Sequence, residues 1–363
     1  MHILHVVGTR PNFVKAAPVM DALRVYGVEQ TLVHTGQHYD SEMSAEFIDV
    51  LGLPQPRFNL AVGSGVHTKQ IPEIVRRLQP LLSSCRPDAV FVYGDVNSTL
   101  AAALAVSRLG IPVCHVEAGL RSFDRSMPEE TNRITIDHAS DLLFAHCEDA
   151  VTNLKREGVP AERIHLVGNV MIDSLVRFLP LARGYEMPCA RQQFALVTLH
   201  RASNVDDPCV LKEILKSLSD LSSELDVIFP VHPRTRKRIA EFGIDTRSLR
   251  VVDPVPYIQC LTLQQRAAVV ITDSGGIQEE TTYLNIPCIT LRASTERPIT
   301  TIMGTNVLID DPARLKAEVR KILNGERKQS SMPPYWDGHA SERIAAIVSK
   351  HFKRKFRSAA ASA

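Results

Sequence analysis

The plainest chemical signal in the chain is the run Val269-Val270-Ile271-Thr272-Asp273-Ser274-Gly275-Gly276-Ile277-Gln278-Glu279-Glu280. Its β-branched apolar start is a strand pattern. Asp273 and Ser274 are side chains that accept hydrogen bonds at a helix start, and Gly275-Gly276 leaves the backbone bare. Uncapped N–H groups at a helix N-terminus form an anion site, and a phosphate or diphosphate is its natural guest. Glu280 follows about one helical turn on, where a carboxylate could accept the two hydroxyls of a ribose. The same residues also suit an ordinary strand–helix junction with a small N-cap.

A second group stands in the first half. Gly8-Thr9-Arg10-Pro11 turns after an opening strand, with Lys15 a helical turn further in. Neither G-x-G-x-x-G nor a P-loop lysine is present. Two cations past the end of a first strand point to an anionic ligand, although a solvated helix face has the same composition. Gly94-Asp95 and Glu117-Ala118-Gly119-Leu120-Arg121 end later strands. A lone acid there is often an N-cap. Asp95, Glu117, Arg10 and Lys15 at one rim point to a functional site. Ser122 to Met127 has no strand or helix period, and Pro128-Glu129-Glu130 suits a helix first turn. Such a loop over an active rim is also a place for a catalytic acid or base, here Glu129. In the second half His200 ends a strand, as does His232 before Pro233, and Arg297 follows a later one.

The elements that must position these residues alternate. Strands are expected at 2–7, 30–34, 89–93, 112–116, 141–145 and 164–167, then at 194–199, 226–231, 249–252, 268–272 and 287–291, with helices between them. That order gives parallel sheets with helices on both faces. A helix from Val170 to Leu179 leads into a Pro/Gly-containing linker, and the plan then repeats. The expectation is an α/β chain of two doubly wound, Rossmann-like domains facing a cleft. The first covers 1–179, with a C-terminal helix at 339–357 packing back on it, and the second covers 189–335. That helix is expected to end in the basic run Lys350 to Arg357, and the Ala/Ser tail after it to be disordered.

Composition narrows the function. The chain has 363 residues, 44% hydrophobic and 23% charged, which is ordinary for a globular protein of two domains. A formal charge of +2 and 6% aromatic residues give no sign of a nucleic-acid partner. Seven cysteines without a C-x-x-C pair do not make a disulfide framework or a zinc cage. With no signal peptide and no membrane-length apolar run, a cytoplasmic protein without membrane insertion is expected.

These motifs taken together resemble the non-hydrolysing UDP-N-acetylglucosamine 2-epimerases. The matching runs are Gly8-Thr9-Arg10-Pro11, His34-Thr35-Gly36-Gln37-His38, Tyr93-Gly94-Asp95, His115-Val116-Glu117-Ala118-Gly119-Leu120-Arg121, Pro128-Glu129-Glu130-Thr131-Asn132-Arg133, Thr198-Leu199-His200-Arg201, Thr272 to Glu280 and Thr295-Glu296-Arg297-Pro298. They keep the family order over nearly the whole chain. The resemblance implies a glycosyltransferase-B-like fold, a homodimer, a UDP-sugar substrate, and no cofactor or metal. It implies reversible C2 epimerisation of UDP-N-acetylglucosamine to UDP-N-acetylmannosamine by elimination and re-addition of UDP through a glycal. It makes Arg10, Lys15, His200, Ser274, Gly275, Gly276, Glu280 and Arg297 nucleotide-diphosphate contacts, with Asp95, Glu117 and Glu129 as catalytic acids and His200 beside the chemistry. Some family members have a regulatory substrate site. Gln37 and His38 match it, whereas Asp40 and Lys69 replace its glutamine and arginine. His200-Arg201-Ala202-Ser203-Asn204 and His232-Pro233-Arg234-Thr235-Arg236 are similar to a branch acting on UDP-2,3-diacetamido-2,3-dideoxy-glucuronic acid. A glycosyltransferase would share the diphosphate clamp but need an acceptor groove. A hydrolysing epimerase is usually fused to a kinase domain.

Overall fold

Strands buried on both faces read as continuous apolar runs, and this chain has many. Ala89-Val90-Phe91-Val92-Tyr93 is wholly buried, as is Val269-Val270-Ile271-Thr272. The computed structural model describes residues 1–37, 48–63, 65–182 and 193–361. The chain divides into two units, Met1–Ser174 with Pro334–Ala363, and Leu175–Pro333.

The first unit holds a seven-stranded sheet: β1 His2–Val7, β2 Glu29–His34, β3 Phe58–Asn59, β4 Ala89–Tyr93, β5 Val113–Ala118, β6 Leu142–Ala145 and β7 Ile164–Leu166. Its order is β3-β2-β1-β4-β5-β6-β7, with every pair parallel. The order reverses between β1 and β4, the switch point at which open α/β sheets bind ligands outside the strand carboxyl ends. One face is covered by the helices His67–Cys85 and Asn97–Ser107 around Ile74, Leu78, Leu82, Val90, Val92 and Val106. The helix Arg10–Arg24 packs against the helix Ala340–Ala361, which returns to the first unit at the end of the chain.

The second unit repeats the plan with β8 Phe194–Thr198, β9 Asp226–Pro230, β10 Arg250–Val252, β11 Val269–Thr272, β12 Cys288–Leu291 and β13 Asn306–Ile309. The order is β10-β9-β8-β11-β12-β13, again all parallel, with its switch point between β8 and β11. Val197, Leu215, Leu218, Phe229, Ile271, Leu291 and Val319 lie in its main core.

Three sequence expectations change. The last helix runs to Ala361 instead of ending by Arg357. Lys, Arg and Ala are good helix formers, so the tail continues the turn already begun. The helix that starts at Val170 extends through Pro180 to Ala182, into the expected linker. Two edge strands, β3 and β13, were not expected: β3 has two residues and no apolar period, and β13 is a four-residue run that opens on the polar Asn306. His38 and Asp40 lie outside the described residues. No helix among the described residues is long and apolar enough to cross a membrane.

Candidate active-site residues

In the first unit the rim starts with the turn after β1. Asn12 organises it: its Oδ1 accepts from the backbone N–H of Gly8 at 3.1 Å and of Thr9 at 3.0 Å, while its Nδ2 donates to Tyr93 O at 2.9 Å. The turn is thereby tied to the end of β4. Arg10 is exposed at the helix start, and Lys15 is buried. Lys15 pairs with Glu117, whose side chain is also almost fully buried. Its ammonium passes over Gly94, where a Cβ would lie 2.9 Å from Lys15 Nζ. Gly94 has φ +64°, which also favours glycine.

Glu117 sits in a break of β5. The register shifts between Val116 and Ala118, and Glu117 has φ 73°. A non-glycine residue in the left-handed region costs about 1–3 kcal/mol and persists only where its surroundings impose it. The bulge turns this carboxylate toward Lys15. The next strand end carries Asp95, half-buried, whose Oδ2 accepts from Arg133 Nε and the adjacent guanidinium nitrogen, each at 2.8 Å. Arg133 also pairs with Glu130 at 2.6 Å. Glu130 accepts from Ser122 N–H at 2.9 Å, Ser122 Oγ at 2.8 Å and Phe123 N–H at 2.9 Å. Burial alone would raise the Glu130 carboxyl, but these donors and Arg133 hold it below the ordinary range. The loop 122–127 is thus anchored to the helix Pro128–Ala139, which presents Glu129, half-buried, in its first turn. Glu129 makes no hydrogen bond or ion pair among the described residues. Asp95, Glu117 and Glu129 therefore share one rim in different states: two are held by cations and the third is unpaired.

Gln37 is buried. Its Oε1 accepts from Ser98 N–H at 3.0 Å and Ser98 Oγ at 2.6 Å, capping the helix Asn97–Ser107. Lys69 is exposed on the helix His67–Cys85.

In the second unit the turn after β11 departs from the simplest expectation. Asp273 does not cap the following helix Gly275–Leu284. It is fully buried and accepts from the N–H of His200 at 3.0 Å, the N–H of Arg201 at 2.9 Å and Asn204 Nδ2 at 3.2 Å. Burial pushes its carboxyl up, yet the hydrogen bonds from His200 and Arg201 outweigh it and leave it lowered. His200 Nδ1 lies 3.0 Å from Asp273 Oδ1, so the carboxylate orients the ring and turns the other nitrogen outward. The helix Gly275–Leu284 has Ser274 at its N-cap with no side-chain hydrogen bond to its first N–H groups.

Arg297 lies directly on that helix start. A Cβ at Gly275 would overlap its guanidinium, and Arg297 Cζ would be 2.7 Å away. Sequence reading missed the groups that fix it. Arg297 pairs with Glu279 at 2.8 Å and with Glu296, and Glu296 also binds Arg292 at 2.7 Å and Arg201 at 3.2 Å. Although burial alone would raise it, Arg297, Arg292 and Arg201 hold the Glu296 carboxyl well below the ordinary range. The motif Thr295-Glu296-Arg297-Pro298 flagged the place, but the convergence of Arg201 and Arg292 on Glu296 needs the fold.

Glu280 is 3% exposed and one turn into the helix. Tyr257 Oη donates to its Oε1 at 2.9 Å, and Gln264 Nε2 to its Oε2 at 2.6 Å. Burial raises its carboxyl to about 7 against those two hydrogen bonds, and Glu279 adds to the rise. Among the described residues no group of three or more His, Cys, Asp or Glu is placed to hold a metal ion.

Two parallel-sheet units, the first with a rim of carboxylates and the second with a bare helix start beside Arg297, place the chain in the doubly wound α/β class of enzymes. The chain belongs to the UDP-N-acetylglucosamine 2-epimerase family, whose model matches residues 22–349. It is 40% identical over 363 residues to a UDP-N-acetylglucosamine 2-epimerase of Methanocaldococcus jannaschii, covering 96% of this chain and 99% of that one. A crystal structure of the Methanocaldococcus jannaschii UDP-GlcNAc 2-epimerase with UDP-GlcNAc and UDP superposes with a TM-score of 0.91 over 96% of this chain and all of that one, at 40% identity. A Pseudomonas aeruginosa UDP-2,3-diacetamido-2,3-dideoxy-D-glucuronate 2-epimerase is also 40% identical, over 96% of this chain and its own full length. The fold alone is shared with a spinosyn rhamnosyltransferase at 14% identity and a TM-score of 0.51.

Proposed function

We propose that this protein interconverts UDP-N-acetylglucosamine and UDP-N-acetylmannosamine without net hydrolysis. The observation that carries the reading is the rim on which Asp95, Glu117 and Glu129 stand together, two held by Arg133 and Lys15. A sugar C2 proton is too weakly acidic for simple removal and return. Elimination of UDP across C1 and C2 solves this: the C2 proton goes to a carboxylate, the C1–O bond breaks, and its electron pair leaves on the diphosphate. Re-addition of UDP with protonation of the opposite C2 face inverts the centre. The leaving diphosphate needs fixed positive charge, which the helix start at Ser274-Gly275-Gly276 and Arg297 supply, with Arg10, Lys15 and His200 as further contacts. The C2 proton needs a base on one face and an acid on the other. Glu117 and Glu129 take these roles, with Asp95 assisting. Glu280 accepts the ribose hydroxyls. The first unit carries the acids, the second carries UDP, and the active form is a homodimer working in the cytoplasm. Gln37, His38 and Lys69 are the residues through which a regulatory site would act.

Proton NMR with UDP-N-acetylglucosamine in deuterium oxide tests this. Loss of the C2 proton signal with growth of UDP-N-acetylmannosamine is expected. Free N-acetylmannosamine with UDP would mean a hydrolysing enzyme instead. A second substrate has its own support: the Pseudomonas aeruginosa diacetamido-glucuronate epimerase is as similar as the Methanocaldococcus jannaschii relative. Exchange at C2 of that uronic acid alone would shift the assignment.

A further inference from the structure

Behind the three carboxylates lies a buried polar group that the proposed reaction does not use. His115 is 1% exposed, in β5 two residues before Glu117. Its Nε2 is 2.9 Å from the carbonyl of Gly94, which precedes Asp95. Its Nδ1 is 2.7 Å from Asp137 Oδ1, in the helix that begins beside Glu129. The one imidazole thus touches the segments that bear the other two acids, while its own strand bears Glu117.

Asp137 is fully buried and already well supplied with donors. Its Oδ2 accepts from Gly119 N–H at 3.1 Å and pairs with Arg121 at 2.8 Å, and Arg121 pairs in turn with Glu157 at 2.6 Å. Gly119, at φ +83°, lies just past the break in β5. Asp137 therefore grips both sides of the strained Glu117 position, through His115 before it and Gly119 after it.

The hydrogen inventory is specific. A carbonyl oxygen accepts only, and so does an ionised carboxylate. A neutral imidazole has one N–H, so with ionised Asp137 one of the two short contacts would lack a hydrogen. Both are satisfied only if the His115–Asp137 pair holds one additional proton.

We propose that His115 is a positioning residue for the epimerisation, a proton-holding clamp that fixes Asp95, Glu117 and Glu129 relative to one another from behind. The proposal rests on the functional reading given above. It assigns His115 no contact with substrate and no proton transfer to it.

Two measurements test it. The first needs no substrate. Nitrogen-15 NMR of the wild-type protein should show His115 with N–H character at Nε2 and a shared proton at Nδ1. A His115 ring with one bare nitrogen overturns the proposal. The second compares His115→Gln, which keeps an amide donor, with Asp137→Asn. Each should lower kcat by about 100-fold, the loss expected when reacting groups are misplaced by about an ångström. UDP affinity and KM should stay within about threefold. Retention of kcat within threefold in His115→Gln overturns it. Equal loss of UDP binding would also overturn it, because that marks a general folding defect. If the wild type fails to epimerise any UDP-sugar, the functional reading falls while the NMR result stands on its own.

Discussion

Burying Lys15 and Glu117 together leaves each dependent on the other. Removing one partner of a buried ion pair costs about 3–5 kcal/mol, whereas replacing both by neutral groups is often near neutral. Lys15→Met should therefore lower stability by that amount in urea titrations. Lys15→Met with Glu117→Gln should recover most of it while epimerisation remains abolished. A stable single variant would show that the pair is not structural. Glu280 behaves oppositely, since it is raised to about 7 from an ordinary 4.5. The folded chain keeps a proton that the unfolded chain has already lost. Stability should thus fall as pH rises from about 4.5 to 7, and Glu280→Gln should remove that slope. The affinity for a UDP-sugar, whose diphosphate does not titrate here, should weaken about tenfold per unit below pH 7. Calorimetric titrations at pH 5.5, 6.5 and 7.5 would show it, and a flat profile would remove Glu280 from ribose binding.

The two strand–turn–helix corners differ in what they exclude. At the start of the helix Gly275–Leu284 the backbone must stay bare because Arg297 lies on it. Gly275→Ala would displace that guanidinium. With one charge-assisted hydrogen bond worth about 1.5–3 kcal/mol, UDP affinity should fall about 10- to 100-fold, and the melting temperature should fall too, because Glu279 and Glu296 lose a buried partner. An unaltered dissociation constant would dissociate Arg297 from the phosphate site. Much of this element level was legible in the sequence. Period-2 and continuous apolar runs placed the strands, and the polar residues after them marked the rims where Asp95, Glu117, His200 and Ser274 stand. What was not legible depends on pairings across the fold. Asp273 reads as a helix cap but serves β8. Glu130, Arg133 and Asp137 read as an ordinary charged helix, because only the fold brings them beside Asp95 and His115. Tyr257 and Gln264 carry no local signal for Glu280.

At the scale of the molecule, the first unit is assembled from both ends of the sequence. Trp336, the single tryptophan, is 1% exposed there and donates from Nε1 to His146 O at 3.0 Å. Ala340 and Ser341 N–H groups donate to Asp173 at 3.1 and 2.6 Å, fastening the last helix at its start. Trp336→Ala should cost about 3–5 kcal/mol, measured by far-UV circular dichroism in urea. A loss below 1 kcal/mol would mean that this closing segment is dispensable. The same return path fixes the timetable of synthesis. Domains generally complete themselves as they leave the ribosome, amino-terminal part first. Here the earliest sheet emerges with its tryptophan niche empty and must wait while the whole of residues 175–333 is translated, so the nascent chain has to shelter an unfinished first half until the segment from Pro334 onward emerges.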